Sequence, residues 1–245
     1  MSIFKLGGRF EDFAEFVTQR RRYIRDRMTE DFLKMVRQTA EKRCDRLSPG
    51  MGLWRAQLGC SWKTYSAEDG SVVTQNPVPY GLDRMKPLRE RATEGRANPK
   101  GIPFLYLATD CDTAIGEVRP WIGSYVSVGL FKVCRELRLV NCVADPQMLL
   151  EEVDKKSTPE DEAFAWLSID LAFAKPVDRT DDAADYVPTQ IIAELFKKHK
   201  FDGLIYRSQL GNGRNIALFD LDAVRFVEPH LFHVRHITLD SGKVS

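Results

Sequence analysis

Between residues 10 and 47 the apolar positions recur at intervals of three and four. Phe13, Phe16, Val17, Ile24, Met28, Phe32, Leu33, Val36 and Ala40 form the stripe, with charged residues between them. This spacing predicts helix, as one long element or two shorter ones, ended by Ser48-Pro49-Gly50. Arg20-Arg21-Arg22 interrupts the stripe. The pattern then shortens to strand-like runs over Leu53–Gln57, Phe104–Ala108, Ser124–Val133 and Leu137–Val143. Helical spacing returns over Pro159–Ala174, opened by a proline with acidic residues after it and stopped by Pro176. It returns again over Thr189–His199, with Ile191, Ile192, Leu195 and Phe196 as the buried face. Gly203–Gln209 and Asn215–Asp220 read as strands of a hairpin turned by Leu210-Gly211-Asn212-Gly213-Arg214. Residues 60 to 95 read as an irregular polar loop, long enough to cover a site.

Strands and helices are interspersed, and several strands follow one another directly. That order predicts an α+β domain with a mixed sheet and flanking helices. The expected organisation is a helical N-terminal segment at 1–48, a main domain at 49–230 and a tail at 231–245. The helical stripe needs a partner surface, which is either the main domain or another chain.

Composition excludes several classes. Apolar content of 43% and charged content of 29% in 245 residues are those of an ordinary globular protein. A net charge of +1 argues against nucleic acid as a partner for the whole surface. Acidic residues surround the arginine cluster, which favours a solvated or partner-facing helix surface. The five cysteines form no CxxC pair and suit free thiols in a reducing compartment. No apolar run approaches membrane-span length, so the expected location is cytoplasmic, without a membrane partner. His230, His233 and His236 are spaced by three, which on a strand alternates faces, so no metal site is expected.

Candidate chemistry concentrates between Gly95 and Trp121, which reads GRANPKGIPFLYLATDCDTAIGEVRPW. A glycine- and proline-marked loop runs into a strand. Thr109 and Asp110 can cap the helix that follows, through Thr113, Ala114, Ile115 and Glu117, and Arg119-Pro120 closes it. A loop with two cationic side chains and free amides suits an anionic ligand. By spacing alone, a surface turn beside a core strand would give the same pattern.

The motifs G-R-x-N-P-x-G-x-P, Y-L-A and T-A-x-x-E-V-R-P in this stretch resemble those of the RES family, named for its arginine, glutamate and serine. The resemblance extends through Tyr186–Gln190 and Phe201–Ser208 to about Val227 and leaves the first fifty or so residues uncovered. It implies a fold like that of ADP-ribosyltransferases, a split mixed sheet around a dinucleotide cleft. It also implies NAD⁺ degradation, by hydrolysis or by transfer to inorganic phosphate. NAD⁺ is then substrate, with no separate cofactor. Members often act as the toxin of a toxin–antitoxin pair, which adds an antitoxin to the expected partners; a homo-oligomer is the other expected assembly.

Matched residue by residue, the resemblance assigns Arg55, Tyr106, Glu117 and Ser208 to the catalytic set. Cleaving the nicotinamide–ribose bond builds positive charge on the sugar, which a carboxylate such as Glu117 can stabilise. Arg55 would clamp the pyrophosphate, and Tyr106 would offer a ring face to nicotinamide. Ser208 would hydrogen-bond the ligand, and no neighbour in sequence marks it as an activated nucleophile. Arg96, Asn98, Lys100, Gly101 and Asn215 are the further candidates for ligand contact. Two alternatives use the same fold: a mono-ADP-ribosyltransferase acting on a protein or nucleic acid, and a non-catalytic binding module.

Overall fold

The computed structural model describes residues 8–68, 70–88, 90, 92–147, 159–175 and 183–238. Helix α1 (Gly8–Glu15) passes into a π-helical turn at Phe16–Arg20 and stops. Asp26 then opens α2 (Arg27–Ala40), its carboxylate accepting from Thr29 N–H at 2.8 Å. The stripe is therefore two helices, broken at the arginine cluster. Its last residues are a correction to the expected helix: a 3₁₀ turn at Glu41–Arg43 leads into strand β1 (Cys44–Leu47). Charge hides this strand from pattern reading. Arg46 pairs with Glu136, and Asn141 Nδ2 donates to Asp45 Oδ2 at 2.9 Å across the pairing with the strand at Leu137–Asn141.

The remaining elements are β2 (Gly52–Leu58), β3 (Ser61–Ser66), β4 (Val72–Val78), α3 (Leu82–Met85), β5 (Leu105–Ala108), α4 (Cys111–Glu117), β6 (Tyr125–Val133), β7 (Leu137–Asn141), α5 (Glu160–Ala174), α6 (Val187–Lys198), β8 (Gly203–Arg207), β9 (Arg214–Leu218) and β10 (Val224–His233). The loop expected over 60–95 is corrected in part. It carries the antiparallel pair β3–β4, whose residues are almost all exposed, so no buried face marks it in the sequence. The stop expected at Pro176, and the tail from Leu239 on, lie outside the described residues.

Eight strands make the main sheet in the order β1-β7-β8-β9-β5-β2-β6-β10. All neighbours are antiparallel except β7 and β8, so the sheet is mixed. One seam is weak: β2 meets β5 through the single pair Trp54–Ala108, whereas β2 and β6 pair at seven positions. Leu53, Phe131 and Val133 from one side of that seam share a core with Leu105, Leu107, Leu139 and Ile216 from the other. The sheet thus curls around this core and opens at β2–β5.

The opposite face of β5, β7, β8 and β9 is covered by α1, α2, α5 and α6. Phe13, Phe32, Val36, Trp166, Ile169, Phe173, Ile192 and Phe196 are buried there. Trp166 Nε1 donates to Thr39 Oγ1 at 3.0 Å, and the Arg43 guanidinium lies 4.7 Å from the Trp166 ring centre. The N-terminal helices therefore bury Phe13, Val17, Phe32, Leu33, Val36 and Ala40 of the stripe within the same chain, while Ile24 and Met28 are exposed. Among the described residues, no helix is long and apolar enough to cross a membrane.

Candidate active site

The site begins with a helix cap. Asp110 Oδ1 accepts from Thr113 N–H at 2.8 Å, and Thr113 Oγ1 donates to Asp110 Oδ2 at 2.9 Å, starting α4 where the sequence predicts it. Burial alone would raise the Asp110 pKa, but hydrogen bonds from Thr113 and Thr109 outweigh it and hold the carboxyl below its usual range. The same threonines hold the loop between β8 and β9. Gly213 N–H donates to Thr113 Oγ1 and Arg214 N–H to Thr109 Oγ1, each at 2.9 Å. The approach is too close for larger residues. A Cβ on Gly116 would sit 2.2 Å from Leu210 O, and one on Gly211 would sit 2.7 Å from Thr113 Cα.

This clamp brings together residues about a hundred positions apart. Ser208 Oγ donates to Glu117 Oε1 at 2.6 Å, and Asn215 Nδ2 donates to the same oxygen at 2.7 Å. Asn215 sits mid-sheet, paired with Ala108 on one side and Tyr206 on the other. Ser208 and Asn215 are buried, whereas Glu117 is exposed toward the cavity it lines. One carboxylate oxygen is fixed by two donors, and Oε2 has no protein partner among the described residues. Ser208 Oγ also accepts from Leu210 N–H at 3.1 Å, so its hydroxyl is occupied within the protein. Its observed place is that of a positioning residue for Glu117.

Arg55 spans the weak seam. Its Nη1 donates to Tyr106 O at 3.0 Å, linking β2 to β5 where ladder bonds are missing, and its buried Nε has no protein partner. Burial lowers its pKa, but a guanidinium remains charged. The Tyr106 hydroxyl donates to Asn98 Oδ1 at 2.6 Å and accepts from Ala97 N–H at 3.0 Å. Burial pushes this phenol well up, so it stays neutral. Only the Tyr106 ring is left to meet a ligand.

The remaining candidates divide. Asn98 is buried, and its Nδ2 donates to Thr93 O, Pro99 O and Ile102 O, so its side chain builds the loop and does not face the site. Lys100 and Gly101 are exposed and do not line the cavity; Gly101, at φ +87°, serves the turn. Arg96 does line it, with Nη1 donating to Ala172 O at 2.8 Å at the end of α5. Thr189 Oγ1 and Gln190 Nε2 from α6 hold the loop backbone at Arg96 O, Gly95 O and Asn98 O.

These pieces surround a cavity of about 330 Å³ at the opened seam. Trp54, Tyr106, Phe173 and Tyr206 give it apolar and aromatic walls. Arg55, Arg96, Arg119, Lys175 and Arg207 line it as cations, against Glu117 as the single carboxylate among the described residues. In a chain of net charge +1, this is a local concentration of positive potential. Arg119, Lys175 and Arg207 are additions that the sequence reading missed. Arg207 is held by Asp170 Oδ2 at 2.5 Å and by Ala144 O at 2.7 Å. Burial raises the Asp170 pKa against the pull of Arg207 and Arg43. Arg119 had a local signal, lying two residues past Glu117 just before a proline. Arg207 had one too, standing directly before Ser208, whereas Lys175 is brought in by tertiary packing.

His230 packs near Trp54 with ring centres 5.8 Å apart, and His233 lies 5.0 Å from Tyr125. His230 and His233 lie on β10 and His236 beyond its end, apart from the cavity lining.

A family model described as the RES domain matches residues 53–240. No curated protein matches the chain. Among solved structures, a chain of the crystal structure of the M. tuberculosis MbcT–MbcA toxin–antitoxin complex is similar, with a TM-score of 0.43 and 13% identity. That alignment covers 82% of this chain and 93% of the other.

Proposed function

Because the chain belongs to the RES-domain family, we propose that it is an enzyme that consumes NAD⁺ by cleaving the nicotinamide–ribose bond. The observation that carries this reading is Glu117, held on one oxygen by Ser208 and Asn215 in the wall of a cationic, aromatic cavity. Cleavage breaks the C1′–N bond, with its electron pair returning to the nicotinamide nitrogen. Positive charge builds on the ribose, and Glu117 Oε2 stabilises it in a site of fixed dipoles. The acceptor oxygen then bonds to C1′ and gives its proton to the carboxylate or to water. Arg55, which lines the cavity, holds the diphosphate through its guanidinium, and the Tyr106 ring supports the nicotinamide.

The acceptor is water in a glycohydrolase and inorganic phosphate in a phosphorylase. In this reading NAD⁺ is substrate, no further cofactor is required, and the working compartment is the cytoplasm. A toxin's role restrained by an antitoxin, and an ADP-ribosyltransferase-like ancestry of the curled sheet, belong to the same proposal.

Incubating the protein with NAD⁺, with and without inorganic phosphate, tests it. The expected result is free nicotinamide in equal amounts with ADP-ribose or its 1-phosphate. ADP-ribose retained on a protein or nucleic acid would instead make it a transferase. No turnover with any acceptor would make it a binding module.

A further inference from the structure

Arg119 differs from every other cation of the cavity. Arg55 is tied to Tyr106 O, Arg96 to Ala172 O and Arg207 to Asp170 and Ala144 O, while Lys175 lies 3.8 Å from Asp185. Among the described residues the Arg119 guanidinium has no hydrogen bond and no ion pair, although it lines the cavity and is exposed there.

Its backbone is also unusual. Arg119 has φ +47°, a left-handed conformation that disfavours a residue with a Cβ and favours glycine. The position follows the end of α4, and Arg119 N–H donates to Gly116 O at 2.9 Å, so the chain is held there by hydrogen bonding. Only one other non-glycine residue with φ above zero occurs among the described residues: Lys200, at φ +65° after the end of α6. Lys200 is exposed and lies away from the cavity lining, so it supplies an internal control. The same strained helix end sends one cation to solvent and the other into the site.

We propose that Arg119 is a ligand-binding residue at the cavity mouth that takes the diphosphate charge of a nucleotide, on the side away from Arg55. Arg55 is half-buried on β2 at the floor of the seam, whereas Arg119 is exposed on the rim, two residues beyond the carboxylate assigned to the ribose. A dinucleotide with its nicotinamide ribose at Glu117 extends its diphosphate outward, where a free guanidinium makes charge-assisted, bidentate contacts. The strained backbone fixes where that side chain leaves the chain and so preorganises it. The inference rests on the nucleotide reading of the site but not on catalysis.

The test uses ADP as probe in calorimetric titration of the full chain, with R119G, R119K, R119Q and K200G. Both glycine variants relieve the strained backbone, so each is expected to melt at or above the wild-type temperature. Binding separates them. R119G and R119Q should weaken ADP at least tenfold, R119K should recover part of that loss, and K200G should bind as wild type does. ADP affinity within twofold of wild type in R119G and R119Q would overturn the proposal, as would a wild-type protein that does not bind ADP. NAD⁺ turnover, measured separately, decides the proposed reaction whichever way the binding falls.

Discussion

Ser208 Oγ and Asn215 Nδ2 both donate to Glu117 Oε1, at 2.6 Å and 2.7 Å, so Glu117 and Ser208 meet although 91 residues separate them. Two donors on one oxygen fix the carboxylate plane and leave its second oxygen for a ligand. Removing either donor should loosen the carboxylate without removing its charge. Ser208→Ala and Asn215→Ala are each expected to lower kcat about 10-fold, the loss of roughly 1.4 kcal/mol of transition-state stabilisation, with little change in KM. The double variant should lose less than the product of the two, because both act through the same oxygen. Steady-state nicotinamide release checks all three.

The approach of α4 to the β8–β9 loop depends on Gly116. In an ordinary helix Gly→Ala stabilises by about 0.5–1 kcal/mol. Here the new Cβ would lie 2.2 Å from Leu210 O, a backbone atom, so helix and loop must part. Gly116→Ala is expected to destabilise by about 1–3 kcal/mol, as overpacking does. Activity should fall further than stability, since Ser208 moves with that loop. Urea denaturation and turnover on one preparation separate the two effects.

The local parts of this site were legible in the sequence, and its assembly was not. Asp110 as cap, α4 ending at Glu117 and the β8–β9 hairpin rest on neighbours within a few residues, and each is found close to where its pattern lies. Glu117 and Ser208 were named through motif resemblance, but their hydrogen bond depends on threonines that hold a distant loop. Asn98 and Tyr106 show the reverse: their types suit ligand contact, yet their polar atoms close the loop between Gly95 and Ile102. Strand β1 and the β3–β4 pair escaped because one is charged and the other has no buried face. The seam at β2–β5 leaves no trace in a one-dimensional pattern.

The Tyr106 hydroxyl separates structural from ligand roles. Tyr106→Phe keeps the ring and leaves Asn98 Oδ1 and Ala97 N–H without their partner, in a buried place. The expected cost is about 1–3 kcal/mol of stability. KM for NAD⁺ should stay within a few-fold of wild type if the ring is the contact surface. Thermal melting and initial rates check both halves.

Asp110 gives a pH dependence with a fixed sign. Its folded-state pKa is lowered, so its stabilisation is present above the unfolded value of about 3.9 and is lost as pH falls through the folded value. Asp110→Ala should cost about 1 kcal/mol at neutral pH, as the loss of a helix cap does. The difference between variant and wild type should close in the acid range, below about pH 4. Denaturation curves across that range show whether the gap narrows on the acid side.

Glu117→Gln is the most direct test of the central claim. The glutamine carbonyl can accept the same bonds from Ser208 and Asn215, so the substitution removes the charge while keeping the shape. With NAD⁺ as substrate and phosphate present, wild type is expected to release nicotinamide. The variant should do so at least ~100-fold more slowly at unchanged melting temperature, the scale of losing an electrostatic contact made in the transition state. Nicotinamide release by Glu117→Gln at close to the wild-type rate would contradict the account.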